Sequence, residues 1–422
     1  MRKKLILNKG KFYSGIVLLL ALFSGQSYKL FSIIDGNNIL YKILFFSKYI
    51  STLGLTLYVL MKQKKNLNFE IKRVIKIFYP LIFLMLIIEI IAIFKSEVPN
   101  VFGIKYFTRS IFIFLDRIFI YILVIDLWIL VGKKAIDYLS NIFFIDEILI
   151  LIRAFFQVGF KGIINSFFGA FAFSEGSSNF FEVHELTFSM GLLIIYYLFF
   201  EREKRKKFFR IILLIFCFIL GAKRIGICGL IVASLFSLFI YKKGLTRFKL
   251  ILLGIIGILI CYGYLFILYN GKFFLLLNHY GINNMGRDLI YTYFIKRSKF
   301  SLFQIGWGIA GVSKVIENMN RAEVLYMVTV RGLHNDILKI YINFGFCGSL
   351  IWYIFNFIYI PLKFFRNYGK RISTLYLSLI IYMFVTYLTD NTEAYFICQV
   401  TLLIIPLAKY SYNKEINYEK SR

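Results

Sequence analysis

The sequence predicts an all-α polytopic membrane protein of about twelve spans with one large hydrophilic loop on its outer side. Three observations predict it. Apolar runs of spanning length recur along all 422 residues, the short connections alternate in charge, and one stretch, 270–341, is long and hydrophilic. The chain is 59% hydrophobic and 17% charged, with a mean hydropathy of +0.73. A soluble core of this length does not need so much apolar sequence. Runs of roughly 17–25 residues cross about 30 Å of hydrocarbon as helices.

Taken in order, the spans fall at 12–33, 39–60, 75–95, 106–131, 139–158, 187–200, 208–222, 225–241, 250–269, 342–362, 372–389 and 394–409. The opening "MRKKLILNKGKFYSGIVLLLALF" reads as a cytoplasmic start followed by a retained first helix. The connections "MKQKKNLNFEIKR" (61–73), "EREKRKK" (201–207), "KKGLTRFK" (242–249) and "KFFRNYGKR" (363–371) are basic. "SEVPN" (96–100), "SEGSSNFFEVHE" (174–185) and "DNTE" (390–393) are neutral or acidic. Twelve spans put every basic loop on one face. Positive charge stays inside, so both termini are expected in the cytoplasm.

The net charge is +29, from 51 Lys and Arg against 22 Asp and Glu. On a soluble chain that balance would suggest nucleic acid, but here most of the excess sits in short loops and sets topology. No nucleic-acid partner is expected. The five cysteines (Cys217, Cys228, Cys261, Cys347 and Cys398) lie in apolar segments without metal-ligand spacing, which favours buried thiols over disulfides.

The stretch 270–341 breaks the charge pattern. It falls outside, between the ninth and tenth spans, yet holds Lys272, Arg287, Lys296, Arg297, Lys299, Lys314, Arg321, Arg331 and Lys339 against Asp288, Glu317, Glu323 and Asp336. Long loops translocate regardless of charge, so the orientation stands. A basic outer face implies an anionic visitor. No internal repeat or low-complexity linker is present. Residues 1–422 therefore read as one membrane domain with this loop inside it, carrying short helices such as "RDLIYTYFIKRS".

Four groups of residues are candidates for chemistry. "LGAKRIGICGLIV" sets Lys223 and Arg224 between two apolar runs at their outer end. An Arg near bilayer depth costs roughly 2.5–3.5 kcal/mol on insertion scales and calls for a partner; the plain alternative is a hairpin turn whose charges snorkel. In "NNMGRDLIYTYF", Arg287 follows a glycine at a helix start, suited to a phosphate group; the plain alternative is a loop charge paired with Asp288. Arg109, Arg117 and Arg153 lie within spans, where Asp116, Asp126, Asp146 and Glu147 could neutralise them; Arg109 and Arg153, near outer ends, remain ligand candidates. His184 and His279 have no neighbours at zinc spacing and read as loop residues, and no phosphate-binding glycine loop or Asp-x-Asp pair is present. No metal and no cofactor is expected.

His334 stands where the basic loop meets a returning helix. Its neighbours Ile337, Leu338, Ile340 and Tyr341 face protein or lipid, and Gly345 and Gly348 allow close helix approach. The plain alternative is an interfacial histidine.

From His334 the sequence resembles the O-antigen ligases (WaaL type) and the related Wzy-type polysaccharide polymerases. Their signature is His, then Asn, Ser or Gln, nine residues, Gly, two residues, then Gly, Thr or Tyr. Here it reads His334, Asn335, nine residues, Gly345, Phe346-Cys347, Gly348. "AKRIG" resembles the family's outer basic pair, "GRDLIYTYF" its Gly-Arg loop opening, and "IGWGIAG" (305–311) its glycine-rich stretch. By motif the resemblance covers about 220–350.

The resemblance implies a GT-C type fold and a metal-independent, inverting glycosyltransferase. It would act on undecaprenyl-diphosphate-linked glycans, as donor and acceptor, at the outer face of a bacterial cytoplasmic membrane. It assigns diphosphate binding to Arg224 and Arg287, with Lys223, Arg109 and Arg153 beside them, and makes His334 the catalytic base. A repeat-unit polymerase for O-antigen or capsule is the preferred activity. The Lys, Ile, Phe, Asn and Tyr content points to an AT-rich genome, and many such bacteria lack an outer membrane. The full ligase-style motif pulls toward an O-antigen ligase with lipid A–core as acceptor. A lipid-linked oligosaccharide flippase is a third reading, which gives no reason for a long loop ending in histidine. A chain-length regulator is a further partner left open.

Overall fold

The computed structural model describes residues 9–31, 39–62, 68–95, 104–171, 183–201, 203–280, 286–321 and 332–420. The predicted outer loop 96–100, most of 174–185, and Glu323 and Arg331 lie outside the described residues. The described chain is helical. Its first five helices are α1 (Lys9–Phe31), α2 (Ile39–Lys62), α3 (Asn68–Lys95), α4 (Ile104–Val131) and α5 (Ala135–Phe171). Then come α6 (His184–Phe199), α7 (Lys204–Leu220), α8 (Arg224–Lys243) and α9 (Arg247–Tyr269). The hydrophilic stretch carries α10 (Lys272–His279), α11 (Arg287–Arg297) and α12 (Gly311–Arg321). The chain closes with α13 (Asp336–Ile354), a π-turn (Phe355–Tyr359), α14 (Ile360–Tyr368), α15 (Lys370–Tyr387) and α16 (Phe396–Lys420).

Four helices are long and apolar enough to cross a membrane by length and composition: Ile39–Lys62, Ile71–Lys95, Arg247–Tyr269 and Asp336–Tyr368. Shorter apolar helices run over His184–Phe199, Arg224–Ile240 and Phe396–Ser411. Many large apolar side chains lie on the surface. Phe94, Phe156, Phe160 and Leu259 are each at least 64% exposed. Water would not tolerate such a band; lipid does. The chain is an integral membrane protein.

The centre is built from α6, α15 and α16. From Leu186 to Tyr197 every residue of α6 is buried. Small residues let these helices touch, as packing in lipid requires. A Cβ on Gly229 of α8 would stand 3.1 Å from the Tyr382 ring of α15, and Gly221 meets the Thr187 side chain.

Residues flanking the predicted basic connections gather at one end. Arg371 donates to the Phe200 carbonyl (3.5 Å), Lys207 to the Leu198 carbonyl (2.6 Å), and Tyr359 to the Lys76 carbonyl (2.8 Å). The start of α6, the start of α8, the loop before α13 and the α15–α16 turn gather at the other end.

Several expectations are corrected. The predicted span 342–362 belongs to a helix that starts earlier, at Asp336, because Asn335 caps it there. The segment 139–158 continues to Phe171 through a break at Gly159. Arg117 takes its acid from the α15–α16 turn, pairing with Glu393, while Asp116 pairs with Lys48 (2.5 Å). Cys228 and Cys347 are exposed, unlike the other three cysteines.

Candidate active site

His334 closes the loop before α13, and its position is set from four directions. The next residue, Asn335, is the helix N-cap: its Oδ1 accepts from the Leu338 N–H (2.9 Å) and its Nδ2 donates to the Tyr264 hydroxyl of α9 (2.7 Å). Tyr291 of α11 donates to the His334 carbonyl (2.9 Å). The His334 N–H donates to Asn391 Oδ1 in the α15–α16 turn (3.0 Å), and Asn391 Nδ2 lies 3.4 Å from the ring Nδ1. His334 has a positive φ of 50°. Such a backbone costs of order 1–3 kcal/mol and persists where surroundings hold it.

Charge collects around the ring. Asp390 Oδ2 lies 3.4 Å from His184 Nδ1 and 3.7 Å from Lys223 Nζ. Its Oδ1 accepts from the Tyr395 hydroxyl (2.8 Å) and the Asn391 N–H (2.7 Å). Burial alone pushes this carboxyl up. The hydrogen bond and charge of His184, the Lys223 ammonium and the Asn391 amide more than offset it, holding Asp390 well below the usual carboxylate range. Burial pushes the His334 imidazole down to about 4; the Asp390 charge opposes this, while Arg287, His184 and Lys223 reinforce it. The ring is neutral at pH 7.

Beside this cluster opens a cavity of about 880 Å³, within the size range of small-ligand sites. Arg109 and Arg117 of α4, Lys339 and Asn343 of α13, and Trp352 line it, together with the loop residues Leu333, Asn391 and Glu393. Arg117 pairs with Glu393, whose N–H donates to Asp336 Oδ2 (2.6 Å). Wall and histidine loop are therefore tied together.

The predicted residues divide into three sets. His334, Lys223 and Arg287 share one electrostatic neighbourhood. Arg109 lines the cavity, next to the loop that carries His334. Arg224, exposed, opens α8 beside Lys223, and Arg153 stands half-buried on α5, which packs on α1, α6, α7 and α16.

One of the two signature glycines acts as expected and the other does not. Gly348 does permit close approach, since a Cβ there would meet Ile88 Cδ1 of α3 at 2.6 Å. Gly345 instead breaks α13, with φ 70° and ψ −175°. Residues 304–308 run alongside and take the freed backbone groups. Trp307 N–H donates to Ile342 O (2.9 Å), Gly308 N–H to Asn343 O (3.0 Å), and Phe346 N–H to Gln304 O (3.0 Å). The Asn343 side chain then accepts from Val312 N–H (2.9 Å) and donates to Ile309 O (3.0 Å), anchoring the start of α12.

His184 is a further correction. It is no plain loop residue; it opens α6 and bears on Asp390 and Tyr395 (3.1 Å). Asp390, Asn391 and Glu393 were visible in the sequence only as the acidic outer turn "DNTE". Their shared face with "VHE" (183–185) was the available signal. Among the described residues no group of three His, Cys, Asp or Glu is placed to hold a metal ion.

Residues 209–353, about a third of the chain, match the family model described as O-antigen ligase. That segment contains Lys223, Arg224, Arg287, His334, Asn335, Gly345 and Gly348; Arg109, Arg153, His184 and Asn391 lie outside it. No curated protein and no solved structure matches the chain.

Proposed function

We propose that this chain, whose residues 209–353 match the O-antigen ligase family, is a polysaccharide repeat-unit polymerase of the O-antigen ligase and Wzy superfamily. It spans the bacterial cytoplasmic membrane about twelve times with both termini inside, and it joins undecaprenyl-diphosphate-linked glycans on the outer face, without a metal. The observation that carries this reading is the junction at His334. There a neutral imidazole feels the charges of Arg287 and Lys223, and its loop neighbour Leu333 and its partner Asn391 line a saccharide-sized cavity.

The chemistry follows from that placement. Arg287, Lys223 and Arg224 hold the donor diphosphate and stabilise the charge that builds as the sugar leaves it. A guanidinium fork suits phosphate oxygens better than an ammonium does. Arg109, Asn343 and Trp352 offer the cavity a cation, an amide and an aromatic face, which suits the acceptor glycan. Arg153 is a more distant cationic candidate on α5. His334 stands between donor and acceptor, close to the reacting oxygens.

Purified protein given lipid-linked repeat units alone should produce a ladder of polymers. Addition of EDTA should leave the rate unchanged. The second reading, a ligase, is favoured by the O-antigen ligase family that residues 209–353 match and by the full His334–Gly348 signature. A ligase would give no ladder and would transfer glycan only when lipid A–core is supplied.

A further inference from the structure

Asn391 is the one side chain among the described residues that hydrogen-bonds the His334 ring, and its orientation is decided by chemistry. The His334 backbone N–H can only donate, so the atom facing it at 3.0 Å must be the amide oxygen. The other branch, Nδ2, then faces the ring Nδ1 at 3.4 Å, and an amide nitrogen can only donate. Nδ1 is thus an acceptor. A neutral imidazole with an accepting Nδ1 carries its single proton on Nε2.

The surroundings fix this clasp. A Cβ on Gly332 would lie 2.5 Å from Asn391 Nδ2, so only a glycine leaves the amide its place. Asn391 is itself held by its N–H to Asp390 Oδ1 (2.7 Å). The positive φ of His334 holds its N–H and ring against the same amide. Asp390, Arg287, His184 and Lys223 act on the ring through their charge.

We infer that Asn391 is a positioning residue that keeps His334 in the Nε2–H tautomer, so that the ring meets substrate as a hydrogen-bond donor. This rests on the reading of His334 as part of the reaction centre, and it replaces the base role expected from the sequence. A base needs a free lone pair toward the acceptor hydroxyl, and Nε2 has none. Transfer still balances. The acceptor oxygen bonds the anomeric carbon, the bond to the diphosphate breaks with its electrons on the leaving oxygen, and the hydroxyl proton passes to that diphosphate. The Nε2–H stabilises the leaving oxygen and keeps its own proton.

The test is ¹⁵N NMR of full-length protein labelled at histidine and held in nanodiscs at pH 7. The chain has three histidines, so His184→Gln and His279→Gln assign the signals. Wild type should show a bare Nδ1 and a protonated Nε2 at His334. In Asn391→Asp, one carboxylate oxygen still accepts from the backbone N–H while the other accepts from the ring, so the proton should move to Nδ1. Loss of one transition-state donor lowers kcat by about 10²-fold, with the donor KM little changed. A protonated Nδ1 in wild type, or an unchanged tautomer in Asn391→Asp, overturns the inference. If Asn391→Asp does not fold, the wild-type spectrum decides alone. A wild-type Nε2–H signal together with normal polymerisation by His334→Ala overturns the reaction-centre reading and leaves the tautomer assignment standing.

Discussion

Gly159 in α5 and Gly345 in α13 carry nearly the same backbone, φ 65° with ψ 177° at one and φ 70° with ψ −175° at the other. Both positions lie in a region open essentially only to glycine. Their surroundings differ. A Cβ at Gly159 would meet nothing within 4 Å, whereas one at Gly345 would overlap the Gln304 carbonyl and lie 2.6 Å from the Gly306 nitrogen. One break merely bends a helix. The other admits an extended segment of the outer stretch into the helix ladder, and so fixes α12 and the cavity wall beside His334. A broken helix becomes part of a site when another segment takes up the backbone groups it frees.

The largest expected effect separates the two breaks. Gly345→Ala and Gly159→Ala both bear a backbone cost of about 1–3 kcal/mol. Only Gly345→Ala also expels residues 304–308, so it should lose both thermal stability and polymer formation. Gly159→Ala should keep activity once its lower melting temperature is allowed for. Equal loss of activity in both would break the comparison.

Asn343→Leu sharpens it. This change leaves Gly345 alone but strands the Val312 N–H and the Ile309 carbonyl, each worth about 1–3 kcal/mol when buried unpaired. Melting should fall less than in Gly345→Ala, and acceptor KM should rise more than donor KM. A donor-specific defect would mean that α12 serves the diphosphate instead.

Arg287 tests the part of the site that the break at Gly345 does not build. Arg287→Ala should reduce donor kcat/KM, and Arg287→Lys should recover only part of it, since the charge returns without the fork. Full recovery in Arg287→Lys would show that charge alone suffices.

The smallest effect is on stability against pH. His334 is held near 4 when folded against 6.5 when free, so the unfolded chain binds the extra proton between those values. Stability should therefore decline as pH falls from 6.5 toward 4, and His334→Gln should remove that part of the decline. An unchanged pH profile in His334→Gln would place the titration elsewhere.

Much of the helical content was legible because apolar runs are local signals. The His334 signature was legible because its residues lie close in sequence. Asp336 and Lys339 hid the true start of α13, since polar residues look like loop until the Glu393 N–H is known to donate to Asp336 and Asp336 to pair with Lys339. The His184–Asp390 contact joins distant segments that carry no shared motif. Gly345 reads as a packing glycine because a sequence does not display the sign of φ. The sequence offers Arg117 acids on nearby spans, although its partner comes from the far end of the chain.

The most direct measurement is polymer formation from purified lipid-linked repeat units by wild type, His334→Ala and His334→Gln at matched protein levels. Wild type should build a ladder. His334→Ala should lose about 10²-fold or more in kcat, and His334→Gln, whose amide can still donate, should lose less. Near-normal rates in His334→Ala would contradict a reaction centre at the mouth of α13.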